Sequence, residues 1–209
     1  MRARRKKWAL PFLLEHPELV KETLPLGSPF YEKGPLYLEI GAGKGDFVVQ
    51  MAARGGWWLA LEREVSVSGI LAKKILGAGL GNIVVMAQDF DEVYPSLKKG
   101  AFEGIYLNFS DPWPKRKHAK RRLTTTERLV KMAALLTAGG RLYFKTDNDV
   151  LYAFTLENAR QAGLAILDNE PDYRLDGSED AESEYERGFR DEGKPIHRAV
   201  FARAKAQAK

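Results

Sequence analysis

The sequence predicts a doubly wound α/β fold: a parallel sheet of seven strands with helices on both faces. Three observations predict it. From Leu36 onward, short apolar runs alternate with longer segments whose apolar residues recur at helical spacing. A glycine cluster, Gly41-Ala42-Gly43-Lys44-Gly45, separates the first run from the first such segment, where a chain turns sharply from strand into helix. The polar residues that interrupt this pattern fall at the carboxyl ends of the runs, where open parallel sheets bind their ligands.

The elements follow in order. Leu36–Ile40 (LYLEI) reads as the first strand, and 47–54 as a helix with Phe47, Val48 and Met51 on one face. Trp57–Leu61 (WWLAL) is the second strand. Val65–Gly77 is the second helix, with Val67, Ile70, Leu71 and Ile75 inward. Residues 82–86 (NIVVM) and 105–109 (IYLNF) are the third and fourth strands. The segment 125–136 is a helix with Leu129, Met132, Ala133 and Leu136 at helical spacing, closed by Gly139-Gly140. Residues 141–145 (RLYFK) form a fifth strand, 150–162 a further helix, and 165–167 and 197–202 the terminal strands.

Residues 1–35 stand apart as a basic N-terminal arm, with 36–209 as the folded domain. The arm holds five of the ten prolines and reads as extended chain with one or two short helical turns. The chain of 209 residues carries 33 basic and 28 acidic groups. Eleven of the basic ones lie in two clusters, 2–7 (RARRKK) and 115–122 (KRKHAKRR); the rest of the chain has 22 basic groups against 28 acidic. A mildly acidic body with two positive patches suits a polyanionic partner. The absence of cysteine excludes disulfides, thiolate metal sites and cysteine nucleophiles. No apolar run approaches the length of a membrane span. Trp8–Leu14 is short, contains Pro11 and has no small-residue cleavage pattern after it, so a secretory signal is not expected and a cytoplasmic protein is.

The glycine loop discriminates between cofactors. Its spacing is G-x-G-x-G rather than the G-x-G-x-x-G of dinucleotide sites, and Asp46 stands where a pyrophosphate would meet the helix N-terminus. Glu39 adds a carboxylate just before the loop. Both favour a cation, and S-adenosylmethionine presents an ammonium and a sulfonium. Glu62 ends the second strand, where a carboxylate takes both hydroxyls of a ribose. Asp89 ends the third, where it can accept from an adenine amino group, with Phe90 beside it. Glu39, the glycines Gly41 and Gly43, Glu62 and Asp89 form a pattern that suits S-adenosylmethionine-dependent methyltransferases of class I. The plainer alternative is an ordinary α/β loop with capping acids.

After the fourth strand comes Asn108-Phe109-Ser110-Asp111-Pro112-Trp113-Pro114. Two prolines stiffen it. Trp113 offers a surface for base stacking. Asp111 can hold the Watson–Crick edge of a base or balance a growing positive charge; it can also merely cap a turn. Residues 115–122 then place six positive groups in eight positions, which suits phosphate contacts. Asp147 follows the fifth strand and reads equally as a base or ribose contact and as the N-cap of the next helix. The acidic stretch Ser178–Glu186 reads as a flexible loop or as a lid that orders over cofactor and base. No cluster of residues suggests a metal.

The segment Asn108–Thr124, NFSDPWPKRKHAKRRLT, closely resembles the signature of bacterial tRNA (guanine-N7)-methyltransferases. So do LEIGAGKGDF (Leu38–Phe47), Thr146-Asp147-Asn148 and SEYERGFRDEGKPIHR (Ser183–Arg198). The resemblance implies a Rossmann-like class I methyltransferase fold, a seven-stranded, mostly parallel sheet with an antiparallel terminal strand, and methyl transfer from S-adenosylmethionine to N7 of guanine 46 in the tRNA variable loop. It implies that Glu39, Glu62, Asp89 and Asp111 line the cofactor site, with Asp111 catalytic. Lys115, Asp147 and the segment Ser183, Glu184, Tyr185, Glu186 would contact the substrate. Ser183 stands where the family usually has Thr, and Gln88 precedes Asp89 where a small residue is common. Guanine N7 carries an in-plane lone pair, so no nucleophile is required of the protein, in keeping with the lack of cysteine; methylation at pyrimidine C5 is disfavoured. Competing readings are an exocyclic-amine methyltransferase, a nonenzymatic RNA-binding domain and a nucleotide-binding dehydrogenase. The expected partner is tRNA, with no membrane and no obligatory protein partner, as a monomer or homodimer.

Overall fold

The computed structural model describes residues 5–174 and 180–204. Among these, seven strands are present: β1 (Leu36–Ile40), β2 (Trp57–Leu61), β3 (Ile83–Met86), β4 (Phe102–Asn108), β5 (Leu136–Thr146), β6 (Leu164–Glu170) and β7 (His197–Arg203). They form one sheet in the order β3-β2-β1-β4-β5-β7-β6. The β1–β2, β2–β3 and β4–β5 pairs are parallel, and β7 runs antiparallel to both β5 and β6. The described chain divides into two compact units, 5–98 with 180–184 and 99–174 with 185–204.

In the first unit, β1, β2 and β3 are buried almost throughout, as parallel strands covered on both faces must be. Helices α1 (Ala9–Leu14), α2 (Asp46–Arg54), α3 (Val65–Gly77) and the short α4 (Phe90–Val93) belong to it. The stretch expected as a separate basic arm is, in its described part, laid on this unit. Ala9 and Leu13 of α1 are buried, as are Leu19, Leu24, Phe30 and Tyr31. Val85 N donates to Leu19 O and Lys21 N to Val85 O, each at 2.9 Å, so residues 19–21 extend the hydrogen bonding of β3. Residues 2–4 of the first basic cluster lie outside the described residues.

The second unit packs α5 (Thr126–Leu135) and α6 (Asp149–Gln161) on its strands and carries most of α7 (Glu184–Asp191). Phe102, Phe144, Phe201, Leu129, Met132 and Leu151 are buried in its core. β5 begins before Gly139-Gly140 instead of after it, because the diglycine is a bulge in a strand and not the end of a helix. A Cβ on Gly140 would stand 2.7 Å from Phe102 O, so only glycine lets β4 and β5 approach there. The pairing register shifts at that point between Phe102 and Gly104.

Candidate active site

The first unit carries the glycine loop. Gly41, Gly43 and Gly45 have φ of 81°, 55° and 87°, the left-handed region that glycine enters at least cost. Gly41 N and Ala42 N donate to Leu61 O at 2.8 and 2.9 Å, tying the loop to the end of β2. A Cβ on Gly45 would stand 2.3 Å from Leu71 Cδ1, so this glycine seats α2 against α3; a Cβ on Gly41 or Gly43 would meet nothing within 4 Å, so those two lie open.

Three acids stand at or just beyond the ends of β1, β2 and β3. Glu39, in β1, is buried. Glu62 Oε2 accepts from Gly43 N at 3.0 Å and Oε1 from Glu64 N at 2.9 Å, which braces the loop from the end of β2. Burial pushes the Glu62 carboxyl up from its ordinary pKa, against the pull of these two N–H groups and of Arg63. Asp89 is the N-cap of α4. Its Oδ1 accepts from Asp91 N at 3.0 Å, Glu92 returns the bond to Asp89 N, and Oδ2 stands 3.9 Å from Arg63. Phe90, next to Asp89, is buried.

Asp46 does not oppose an anion as the sequence suggests. Its Oδ2 lies 2.6 Å from Lys74 Nζ on α3, so that charge is answered inside the unit. The preference for a cation rests instead on Glu39 and Glu62. Lys44, the base within the loop, is paired with Glu184 at 2.7 Å. The donor set is thus acid-rich around an open glycine turn, which fits a ligand with a sulfonium, an ammonium and a ribose diol and disfavours a pyrophosphate.

The acidic stretch is not a free loop in its described part. Residues 178–179 lie outside the described residues. Arg54 donates to Asp180 O and Gln50 to Glu182 O, both at 2.9 Å, Ser183 is buried, and Glu184 opens α7. The side chains that hold it come from α2, which takes two of its main-chain carbonyls, and from the glycine loop, where Lys44 pairs with Glu184.

The second unit carries the loop after β4. Phe109 and Trp113, neither of them glycine, have φ of 53° and 42°, a strained region that bulky residues occupy only where surroundings hold them. Phe109 N donates to Lys145 O at 2.9 Å and its ring lies 5.7 Å from Phe189 of α7. Asp111 is exposed and Trp113 half-buried. The Trp113 ring has the Arg121 guanidinium 5.0 Å from its centroid and the His118 ring 5.8 Å away at its edge. The basic run forms a 3-10 turn over Arg116–Arg121, with Lys115 at its head. Lys115, Arg116, Lys117, Lys120 and Arg121 are exposed, whereas Arg122 is buried.

Asp147 is not the cap of α6. Asn148 is, its Oδ1 accepting from Leu151 N at 2.8 Å. Asp147 stands half-buried within electrostatic reach of Lys194. Tyr185 is exposed. Glu186 is 0% exposed: its Oε2 lies 2.7 Å from Lys145 Nζ, itself 3% exposed, and its Oε1 lies 2.5 Å from an Arg190 nitrogen. Glu186 therefore docks α7 on β5. Sequence reading missed Lys145, Arg190 and Arg122. A lysine closing an apolar strand and a Glu-Arg pair four apart are the signals that could have found the first two.

A doubly wound sheet with its last strand reversed, an open glycine loop after β1 and an acid at or just beyond the end of each of the first three strands fit a methyltransferase. The family model described as "Putative methyltransferase" matches residues 33–199. The chain is 37% identical to the tRNA (guanine-N(7)-)-methyltransferase of Staphylococcus saprophyticus over 95% of its own length and 97% of the relative's. It is 38% identical to that of Staphylococcus aureus strain Newman over 95% and 96%. The chain belongs to the tRNA (guanine-N7)-methyltransferase family. In fold it is similar to an antibiotic-related methyltransferase, with TM-score 0.61, 14% identity and 98% and 97% of the two chains covered. It is similar also to the geranyl diphosphate C-methyltransferase of Streptomyces coelicolor A3(2), solved with S-adenosyl-L-homocysteine: TM-score 0.58, 12% identity, 93% and 79% covered.

Proposed function

We propose that this enzyme methylates N7 of guanine 46 in the variable loop of cytoplasmic tRNA, with S-adenosylmethionine as donor. The observation that carries the reading is the loop after β4, in which an exposed carboxylate and a half-buried indole lead directly into a turn of exposed bases. Family membership supports the tRNA and the guanine.

S-adenosylmethionine supplies an electrophilic methyl group on a sulfonium. Glu39 holds the ammonium end, Glu62 the ribose hydroxyls and Asp89 the adenine amino group, with Gly41 and Gly43 leaving the backbone open to close approach. Guanine N7 brings its own lone pair, so what this chain's residues would supply is the orientation of the base and an answer to its charge. Asp111 accepts from guanine N1–H and N2–H, borders the cofactor and stabilises the positive charge that develops on the base. Trp113 stacks on a base, Lys115 holds a phosphate or O6, and Asp147 holds the base or its ribose. Ser183, Glu184 and Tyr185 face the substrate; Glu186 acts through Lys145 and Arg190.

The test is incubation with labelled S-adenosylmethionine and two tRNA transcripts, bearing guanine or adenine at position 46, followed by nucleoside analysis. N7-methylguanosine from the first transcript alone is the expected result. Methyl on an exocyclic amine would move the enzyme to another base chemistry, and tRNA binding without transfer would leave a binding domain.

A further inference from the structure

We propose that Arg122 is a positioning residue for the Asp111 loop and not one of the phosphate contacts of the basic run. The inference rests on the reading above, in which that loop holds the guanine. By sequence Arg122 is indistinguishable from Arg121 beside it. The structure separates them. Arg121 is exposed with its guanidinium over the Trp113 ring. Arg122 is 5% exposed. Its Nε donates to Pro112 O at 2.9 Å and its terminal nitrogen to Trp113 O at 3.3 Å. The guanidinium lies over the Phe154 ring of α6, 4.5 Å from the centroid. The carbonyl of Arg122 accepts in turn from Arg128 of α5 at 2.9 Å. The side chain thus ties the loop to α6 while its main chain is held by α5.

The geometry accounts for the residue type. Two carbonyls of consecutive residues are taken by one planar fork whose flat face rests on a ring, which a guanidinium does and an ammonium does not. The second carbonyl belongs to Trp113, whose φ of 42° needs outside support. Pro112 fixes its own φ and restricts Asp111 before it. Holding the carbonyls of 112 and 113 therefore sets the direction of the Asp111 carboxylate. A guanidinium buried in this way is turned from solvent and from phosphate, so the run presents five bases outward and one inward.

The test compares Arg122→Gln, Arg122→Lys and Lys120→Gln in the full-length protein. It reads the salt dependence of tRNA affinity, kcat at saturating tRNA and cofactor, and the 19F spectrum of protein labelled with 5-fluorotryptophan. Each lost phosphate contact lowers the slope of log affinity against log salt by about 0.7 to 0.9. Lys120→Gln is expected to lower it by one such step. Arg122→Gln is expected to keep the wild-type slope, lose about 10- to 100-fold in kcat, and move the Trp113 resonance while those of Trp8, Trp57 and Trp58 stay in place. Arg122→Lys keeps the slope and recovers only part of kcat. A slope lowered by one step with kcat intact, or a Trp113 resonance that does not move, overturns the proposal. If all four resonances collapse in Arg122→Gln, that variant is unfolded and Arg122→Lys decides by the same criteria. If the wild-type protein methylates no tRNA guanine, the functional reading fails, while the slope and the Trp113 resonance still decide the role of Arg122.

Discussion

Replacing Glu186 by glutamine removes the carboxylate from a buried ion pair of the second unit. Glu186 is 0% exposed and Lys145 is 3% exposed, with 2.7 Å between them. Arg190 retains a second acceptor, Tyr173 O at 3.0 Å, and is partly exposed, so it tolerates the loss. Lys145 is left with an amide oxygen in place of a carboxylate. Removing one partner of a buried pair costs about 3–5 kcal/mol; because the amide still accepts one hydrogen bond, about 3 kcal/mol is expected here. For a chain of this size that lowers the melting temperature by roughly 6–12 °C. Glu186 and Phe189 share a face of α7 at i, i+3 spacing, and Phe189 packs on Phe109 at the base of the Asp111 loop, so kcat falls as well. Urea unfolding measures the first effect and initial rates on tRNA the second. Replacing both partners, Glu186→Leu with Lys145→Met, should return stability to within about 1 kcal/mol of wild type, since apolar pairs substitute well for buried ionic ones. Refutation would be a stability loss below about 1 kcal/mol together with weakened tRNA binding, which would make Glu186 a substrate contact and not the anchor of α7.

Other predictions follow from the glycine loop and its acids. Gly45→Ala combines left-handed backbone strain with a Cβ 2.3 Å from Leu71 Cδ1 and should cost about 2–5 kcal/mol. Gly41→Ala meets nothing within 4 Å and should cost only the strain, about 1–2 kcal/mol; equal thermal shifts for the two would refute the packing role of Gly45. Glu62 ionises above its ordinary value of 4.5 because it is buried. Its folded pKa exceeds its unfolded one, so its contribution to stability is complete below 4.5 and is lost as pH rises through the raised value. Ribose hydroxyls favour the ionised form, so S-adenosylmethionine binding should release a proton in that window and tighten as pH rises; calorimetry in buffers of different ionisation enthalpy that shows proton uptake would sink this. Asp111→Asn keeps the size but loses the charge and one acceptor for guanine N1–H and N2–H, and should lower kcat about 10²- to 10³-fold; turnover like wild type would remove Asp111 from the chemistry.

The frame of this protein is local in origin and can be read from its residues. β1, β2 and α3 occupy the residues that apolar patterning and glycine punctuation assign to them, because those signals act within a few residues. The places of Glu39, Glu62 and Asp89 were legible for the same reason: each falls at or just beyond the end of β1, β2 or β3, and a residue placed there by sequence is placed in space. What the residues do with their charges was not legible. Asp46 answers Lys74, Glu184 answers Lys44, and Glu186 answers Lys145 and Arg190, each pairing partners far apart in the chain or hidden by burial. Asn148 and not its neighbour Asp147 caps α6, a choice made by backbone angles at one turn. Gly139-Gly140, a helix stop by local rules, became a bulge because β4 needed to pass close by. Sequence alone determined the order of the main strands and helices and the open glycine turn after β1, since short-range sterics and hydrophobic period decide those. Tertiary structure decided which of two adjacent arginines faces solvent and which grips the loop, because burial is a property of the neighbours that converge on a side chain and not of the side chain itself.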